Sequence, residues 1–191
     1  MSPSRFFRLL LAVGALTGCA TTSEYARIDR CLAGGRAWDY AGARCTASPP
    51  PQVDALRMDK SERRLSAYRG GKLVRAFRVA LGRGGLLPKE RQGDGRVPEG
   101  RYLITTRNPN SAYHLSLRIG YPTPEQAEAA VRLGIAPGGE IMIHGLPNGR
   151  GALGSRHTLA DWTEGCIAVT DSEIEWLYRA VPDGTPIEIT A

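Results

Sequence analysis

Cys166 lies in the run Thr163-Glu164-Gly165-Cys166-Ile167-Ala168-Val169, and His144 lies upstream in Ile141-Met142-Ile143-His144-Gly145. Each residue adjoins a glycine and an apolar, strand-like segment. A thiol is only a few per cent ionised at neutral pH, so an imidazole placed to take its proton turns it into a nucleophile. Gly165 permits a tight turn that can aim the backbone N–H groups of Gly165 and Cys166 at a developing oxyanion. The pair reads as a nucleophile and its general base.

Other polar residues could join them, each with a plainer alternative. His157 sits in the loop between the pair, where it either reaches the site or is solvated. His114, in Ala112-Tyr113-His114-Leu115-Ser116-Leu117, alternates with apolar residues and either lines a cleft or faces solvent. Arg96 is a carboxylate binder or the partner of a loop salt bridge. Asp161-Trp162 supplies a stacking surface and a charge, or a packed turn. Several chemistries are excluded by inspection. No Ser-x-x-Lys occurs, Gly82-Arg83-Gly84-Gly85 followed by Leu86-Leu87 breaks the dinucleotide pattern, and Lys89 lacks the P-loop context. There is no His-Glu-x-x-His, and the absence of C-x-x-C with three dispersed histidines argues against a zinc site; acyl transfer by a thiol and an imidazole needs no metal and no organic cofactor.

The elements that must position the pair follow from short alternating segments beginning near Val53. Val53-Met58 and Arg64-Tyr68 read as strands, Gly70-Gly71 as a two-residue hairpin turn, and Lys72-Leu81 as the returning strand, with Leu73, Phe77, Val79 and Leu81 on one face. A Gly-rich loop covers residues 82–100, and strands follow at Arg101-Thr105 and Tyr113-Ile119. Thr123-Pro124-Glu125-Gln126 opens a short helix with a capping box, closed by Gly134. Glu140-Ile143 is a buried strand leading into His144. Thr170-Asp171-Ser172-Glu173 caps a second helix whose apolar stripe is Ile174, Leu177, Tyr178 and Val181. Pro186-Thr190 closes the domain as a strand. Strands dominate and helices enter as inserts, so a β-rich α+β domain, sandwich-like or barrel-like, is expected.

The first residues indicate where the protein works. Arg5 and Arg8 precede a short apolar run, Leu9 to Leu16, which is too short to span a bilayer and reads as an export signal. Leu16-Thr17-Gly18-Cys19 resembles the lipobox of bacterial lipoproteins, which implies cleavage after residue 18 and lipidation of Cys19, hence a membrane anchor; Ala20 is the kind of residue that accompanies outer-membrane sorting. Removing residues 1–18 deletes two arginines and lowers the formal charge from +6 to +4. That modest excess suits an anionic surface such as a cell wall, and the scattered arginines argue against nucleic acid. Residues 19–51 read as a tether ending in Ser48-Pro49-Pro50-Pro51. In an oxidising compartment Cys31 and Cys45 are expected to pair, the alternative being two free thiols; a bridge across about 15 residues is worth roughly 3 kcal/mol in the chain-entropy model.

Residues 52–191 resemble an L,D-transpeptidase catalytic domain, the cysteine family that remodels bacterial peptidoglycan. The resemblance rests on Gly93-Asp94-Gly95-Arg96-Val97-Pro98-Glu99-Gly100, on Ile143-His144-Gly145 and on Gly165-Cys166-Ile167. It implies a β-sandwich-like catalytic domain with short inserted helices, Cys166 as nucleophile, His144 as base, and the carbonyl of Gly145 as the group that orients the histidine. It also implies a thioester acyl-enzyme formed on a peptidoglycan stem peptide; together with the lipobox, the expectation is a periplasmic lipoprotein anchored to the outer membrane. Two departures stand out: Glu164 occupies a position where many members carry histidine, and Ala168 one where many carry arginine. A missing arginine removes a cation that could hold a substrate carboxylate. Three outcomes follow: a transpeptidase, a hydrolase of the same fold (an L,D-carboxypeptidase or an amidase that frees wall-linked lipoprotein), and a non-catalytic wall-binding lipoprotein.

Overall fold

The computed structural model describes residues 24–33, 36–39, 43–46 and 51–191. The segment read as an export signal and Cys19 lie outside the described residues. Inside the stretch read as a tether, helix α1 (Glu24–Ala33) is followed by a small antiparallel hairpin, β1 (Ala37–Asp39) and β2 (Arg44–Thr46). A Cys31–Cys45 disulfide joins helix to hairpin, and Ile28, Cys31 and Trp38 form a small core of their own. The sequence reading missed this unit because so short a segment has too little periodicity to reveal an element.

The main body is one eight-stranded mixed sheet in the order β5-β4-β3-β10-β6-β7-β8-β9. Its strands are β3 (Ala55–Asp59), β4 (Arg64–Arg69), β5 (Lys72–Arg78), β6 (Gly100–Ser111), β7 (His114–Ile119), β8 (Met142–His144), β9 (Ile167–Ala168) and β10 (Pro186–Thr190). Two helices, α2 (Pro124–Arg132) and α3 (Asp171–Ala180), are inserted between strands. The β4–β5 turn works as expected, because Gly70 (φ 56°) and Gly71 (φ 73°) both take the left-handed conformation that a tight hairpin turn demands. Leu73 departs from expectation. It is 58 % exposed, while Phe77, Val79 and Leu81 are buried. The register of β4 against β5 shifts at Ala67/Tyr68, so alternation read straight through this hairpin assigns Leu73 to the wrong face.

The sheet curls strongly. Past the end of β5, Ala80 bridges Ala168 and Gly82 bridges Thr163, so the two ends of the sheet meet and enclose the apolar core. Strand β10 lies in the middle, parallel to β3 and antiparallel to β6, with Ile187 and Ile189 buried and Pro186 and Thr190 exposed at its ends. On α3, Ile174, Leu177 and Val181 are buried as the stripe predicts; Trp176, buried as well, tilts against Phe77 with ring centroids 5.5 Å apart. Thr170 opens α3, its backbone N–H donating to the Glu173 carboxylate at 2.9 Å. Thr123 opens α2 with the expected capping box to Gln126.

Candidate active site

Period-two geometry on three short strands builds the site. In the parallel pairing of β8 with β9, Ile143 faces Ile167 and His144 faces Ala168; in the antiparallel pairing of β7 with β8, Ser116 faces His144. Ile143, Ile167 and Leu117 therefore point into the core, where each is fully buried. Met142, His144, Ser116 and Cys166 share the opposite face and line one hollow of about 380 Å³. The thiol and the imidazole thus line the same hollow because their strands are neighbours in register, although 22 positions separate them in the chain.

The His144 ring is fixed at both its edge and its face. Its Nδ1 lies 2.7 Å from the Gly145 carbonyl oxygen. A carbonyl can only accept, so Nδ1 carries the proton and Nε2 is left as the basic lone pair. Tyr113 lies against the ring at 4.5 Å between centroids, and Trp162 meets it edge-on at 5.7 Å. Burial depresses the basicity of His144 and outweighs the opposing effect of the Gly145 carbonyl. Burial also raises the Cys166 thiol and the Glu140 charge adds to it, while the Met142 N–H and the Lys89 ammonium oppose the rise. At neutral pH the pair is therefore a thiol beside a neutral imidazole. Such a pair favours proton transfer during attack over a resting thiolate–imidazolium pair.

The turn that carries the thiol depends on glycine. Gly165 has φ 122°, and a Cβ there would lie 2.7 Å from the Arg96 carbonyl oxygen. Its N–H is donated to Thr163 Oγ1 at 3.2 Å, and Thr163 Oγ1 in turn donates to the Cys166 carbonyl at 2.7 Å. This corrects one expectation: the Gly165 amide is engaged inside the turn, which leaves Cys166 N–H as the candidate oxyanion donor.

The other predicted residues divide. Trp162 and Glu164 line the hollow, and Glu164 forms an ion pair with Arg83 at its rim. Asp161 turns away, binding Arg63 at 2.8 Å and accepting from Leu81 N–H at 2.9 Å. Arg96 lies outside the hollow and is spent on its own loop, 3.4 Å from Glu90 and 3.4 Å from the Gly84 carbonyl, so its loop reading holds in place of carboxylate binding. His114 neither lines the hollow nor faces solvent freely. It pairs with Glu175 of α3 at 2.7 Å. His157 is a further correction, buried rather than solvated in the 3-10 segment Gly151–Leu159, which fills part of the loop between His144 and Cys166.

Sequence reasoning overlooked three residues. Tyr113 packs on the His144 ring, Arg83 pairs across the rim, and Glu140 supplies a carbonyl 3.6 Å from Cys166 Sγ while holding a left-handed φ of 55°. Glu140 carried a faint signal, since Gly138-Gly139 before it marks irregular backbone. Tyr113 and Arg83 carried none beyond lying near strand ends. Among the described residues no cluster of side chains could hold a metal ion.

A thiol immediately before β9, an imidazole at the end of β8 and a backbone carbonyl bound to that imidazole are carried together on a curled β-rich sheet. The L,D-transpeptidase catalytic-domain family matches residues 54–189, and the chain belongs to that family. The YafK chain of Escherichia coli (strain K12), an L,D-transpeptidase by name, is 33% identical over 133 residues, covering 66% of this chain and 46% of its own length. The chain thus spans about half the length of that curated relative. Among solved structures, the helical cell shape determining protein Pgp2 from Campylobacter jejuni superposes with a TM-score of 0.53 at 23% identity, covering 85% of this chain and 54% of that one. The L,D-transpeptidase of Xylanimonas cellulosilytica superposes with a TM-score of 0.50 at 16% identity, covering 78% and 66%. Both superpositions describe a shared fold.

Proposed function

We propose that this protein is a cysteine L,D-transpeptidase acting on peptidoglycan stem peptides, in cross-linking or remodelling of the cell wall. The observation that supports the reading most directly is the His144 tautomer: Nδ1–H is held by the Gly145 carbonyl, so Nε2 is free to accept a proton in the hollow that holds Cys166. Cys166 Sγ attacks the carbonyl of the third stem residue, at an L-to-D peptide bond, as its proton passes to Nε2. The oxyanion is met by Cys166 N–H, a contact of the kind worth about 3 kcal/mol in acyl transfer. The imidazolium returns the proton to the departing D-amino acid, leaving a thioester. An amine from a second stem then attacks the thioester and releases the thiol. A second hollow of about 730 Å³ shares Glu140 and Glu164 with the first and offers the acceptor a separate approach.

The same proposal includes export and anchoring through Cys19, whose residues lie outside those described. The decisive test is mass spectrometry of tetrapeptide muropeptides incubated with the protein and with Cys166→Ala. The expected result is a cross-linked dimer joined between third residues, absent with the variant. A Cys166-dependent tripeptide without dimer would reassign the protein as an L,D-carboxypeptidase of the same fold. Release of wall-linked lipoprotein alone would make it an amidase, and no turnover of either substrate would leave the wall-binding alternative.

A further inference from the structure

The carbonyl that holds His144 belongs to a peptide group with a second partner. Gly145 C=O accepts from His144 Nδ1–H at 2.7 Å, and the N–H of that same peptide unit, on Leu146, donates to Asp171 Oδ1 at 2.8 Å. One amide thus lies in line between a carboxylate and an imidazole. Two glycines make room for the carboxylate. A Cβ on Gly145 would sit 2.8 Å from Asp171 Oδ1, and a Cβ on Gly151 would sit 2.4 Å from Asp171 Oδ2. Neither glycine has a positive φ, so what they supply here is space, and Asp171 is the atom group that occupies it. Asp171 is the first helical residue of α3, after the N-cap Thr170, where the helix dipole favours a negative charge.

We propose that Asp171 is a positioning residue for His144, acting through the Gly145–Leu146 peptide group. A carboxylate that accepts from an amide N–H polarises the amide and draws more negative charge onto its carbonyl oxygen. The richer oxygen binds the Nδ1–H more strongly and stabilises the imidazolium formed when Nε2 takes the Cys166 proton. No proton reaches Asp171: one proton leaves Sγ, one arrives at Nε2, and the peptide relays polarisation only. The arrangement places a carboxylate third in line, as in a serine-type triad, with a peptide interposed. The frame around it is braced. Gly145 N–H donates to the Tyr113 carbonyl at 3.1 Å, and His114, next in the chain, is held by Glu175 on the same helix as Asp171.

The carboxylate is retained at a cost to the fold. Burial raises the Asp171 pKa above its ordinary value and Glu175 adds to the rise, against the lowering by Leu146 N–H and by His114. A group whose folded pKa is raised stabilises the fold through its protonated form, and that contribution disappears as pH rises through the folded pKa. Asp171→Asn, which keeps an acceptor oxygen and removes the charge, should therefore leave the melting temperature unchanged or higher at pH 7.

The inference rests on Cys166 and His144 being nucleophile and base, so its test reads the thiol directly. In the full-length protein, iodoacetamide alkylation of Cys166 at pH 7, followed by peptide mass spectrometry, should fall about tenfold in Asp171→Asn. The Nδ1–H proton resonance of His144 should move upfield. Gly151→Ala, which displaces the carboxylate without altering its charge, should slow alkylation comparably. Wild-type alkylation rates in either folded variant would overturn the proposal, as would slower alkylation that merely tracks a lowered melting temperature. If the wild type turns over no wall peptide while its alkylation still depends on Asp171, the transpeptidase reading fails and this inference stands.

Discussion

Cys166 and His144 are both held neutral by burial, and reactivity should report it. We predict that Cys166 alkylation rises through the alkaline range, without the plateau below neutrality that a preformed thiolate–imidazolium pair would give. A rate already maximal at pH 6 would contradict that picture. Gly165→Ala should cost about 1–3 kcal/mol in chemical denaturation, since φ 122° and the Arg96 carbonyl at 2.7 Å both exclude a side chain. At this scale the sequence was most legible where chemistry and backbone punctuation coincide. Cys166 and His144 each stand beside a glycine and an apolar strand, and these flanks imply the positions that the fold gives them. Arg96 and His157 were illegible because nothing in a linear chain distinguishes a charged loop residue facing a cleft from one consumed by Glu90, or a solvated imidazole from a buried one.

Two elements determine how the site tolerates acid. The loop before β6 is pinned by Asp94, which meets the Lys89 ammonium at 2.8 Å and accepts backbone N–H bonds from Glu90, Arg91 and Arg96. Burial alone would raise this carboxyl, but those bonds together hold it far below the usual carboxylate range. Asp94→Ala leaves a buried ammonium unpaired and should cost about 3–5 kcal/mol, read from a denaturant midpoint. The 3-10 segment contributes at milder acidity. Burial, with a smaller contribution from the His144 charge, lowers His157 from an ordinary 6.5 to about 4. A lowered folded pKa gives stability that is present above pH 6.5 and lost as pH falls towards 4. His157→Phe should therefore flatten the decline of melting temperature across that interval, and an undiminished slope would refute this assignment. The fold was legible element by element wherever periodicity and turn chemistry agreed, as at Gly70-Gly71 and the α2 and α3 caps. It was not legible at the β4–β5 register shift, which no local pattern announces, or in the 3-10 segment, whose short turns carry no sustained period.

At the scale of the whole molecule, the described residues hold two separate apolar clusters, the large one inside the curled sheet and the small one beside the Cys31–Cys45 bridge. Reducing the bridge should loosen α1 and its hairpin, with a local loss of roughly 3 kcal/mol, while the main sheet melts as before. Limited proteolysis with and without dithiothreitol, beside a thermal melt, checks this: cleavage should appear ahead of residue 51 with the principal transition unmoved. A shifted principal transition would mean that the two clusters unfold as one. The sheet closure itself was not readable from sequence, because bridges such as Ala80 to Ala168 join positions whose relation exists only after the strands curl. The place of β10 has a consequence of another kind. Residues 186–190 are joined to β3 on one side and β6 on the other, so they form the seam between the two halves of the sheet. Among the described residues the two halves otherwise pair only through the single bridges Ala80–Ala168 and Gly82–Thr163, so β10 carries the one continuous ladder between them. A chain cut ahead of residue 186 would therefore keep every residue that lines the candidate site, yet lose the ladder tying their half of the sheet to β3, β4 and β5.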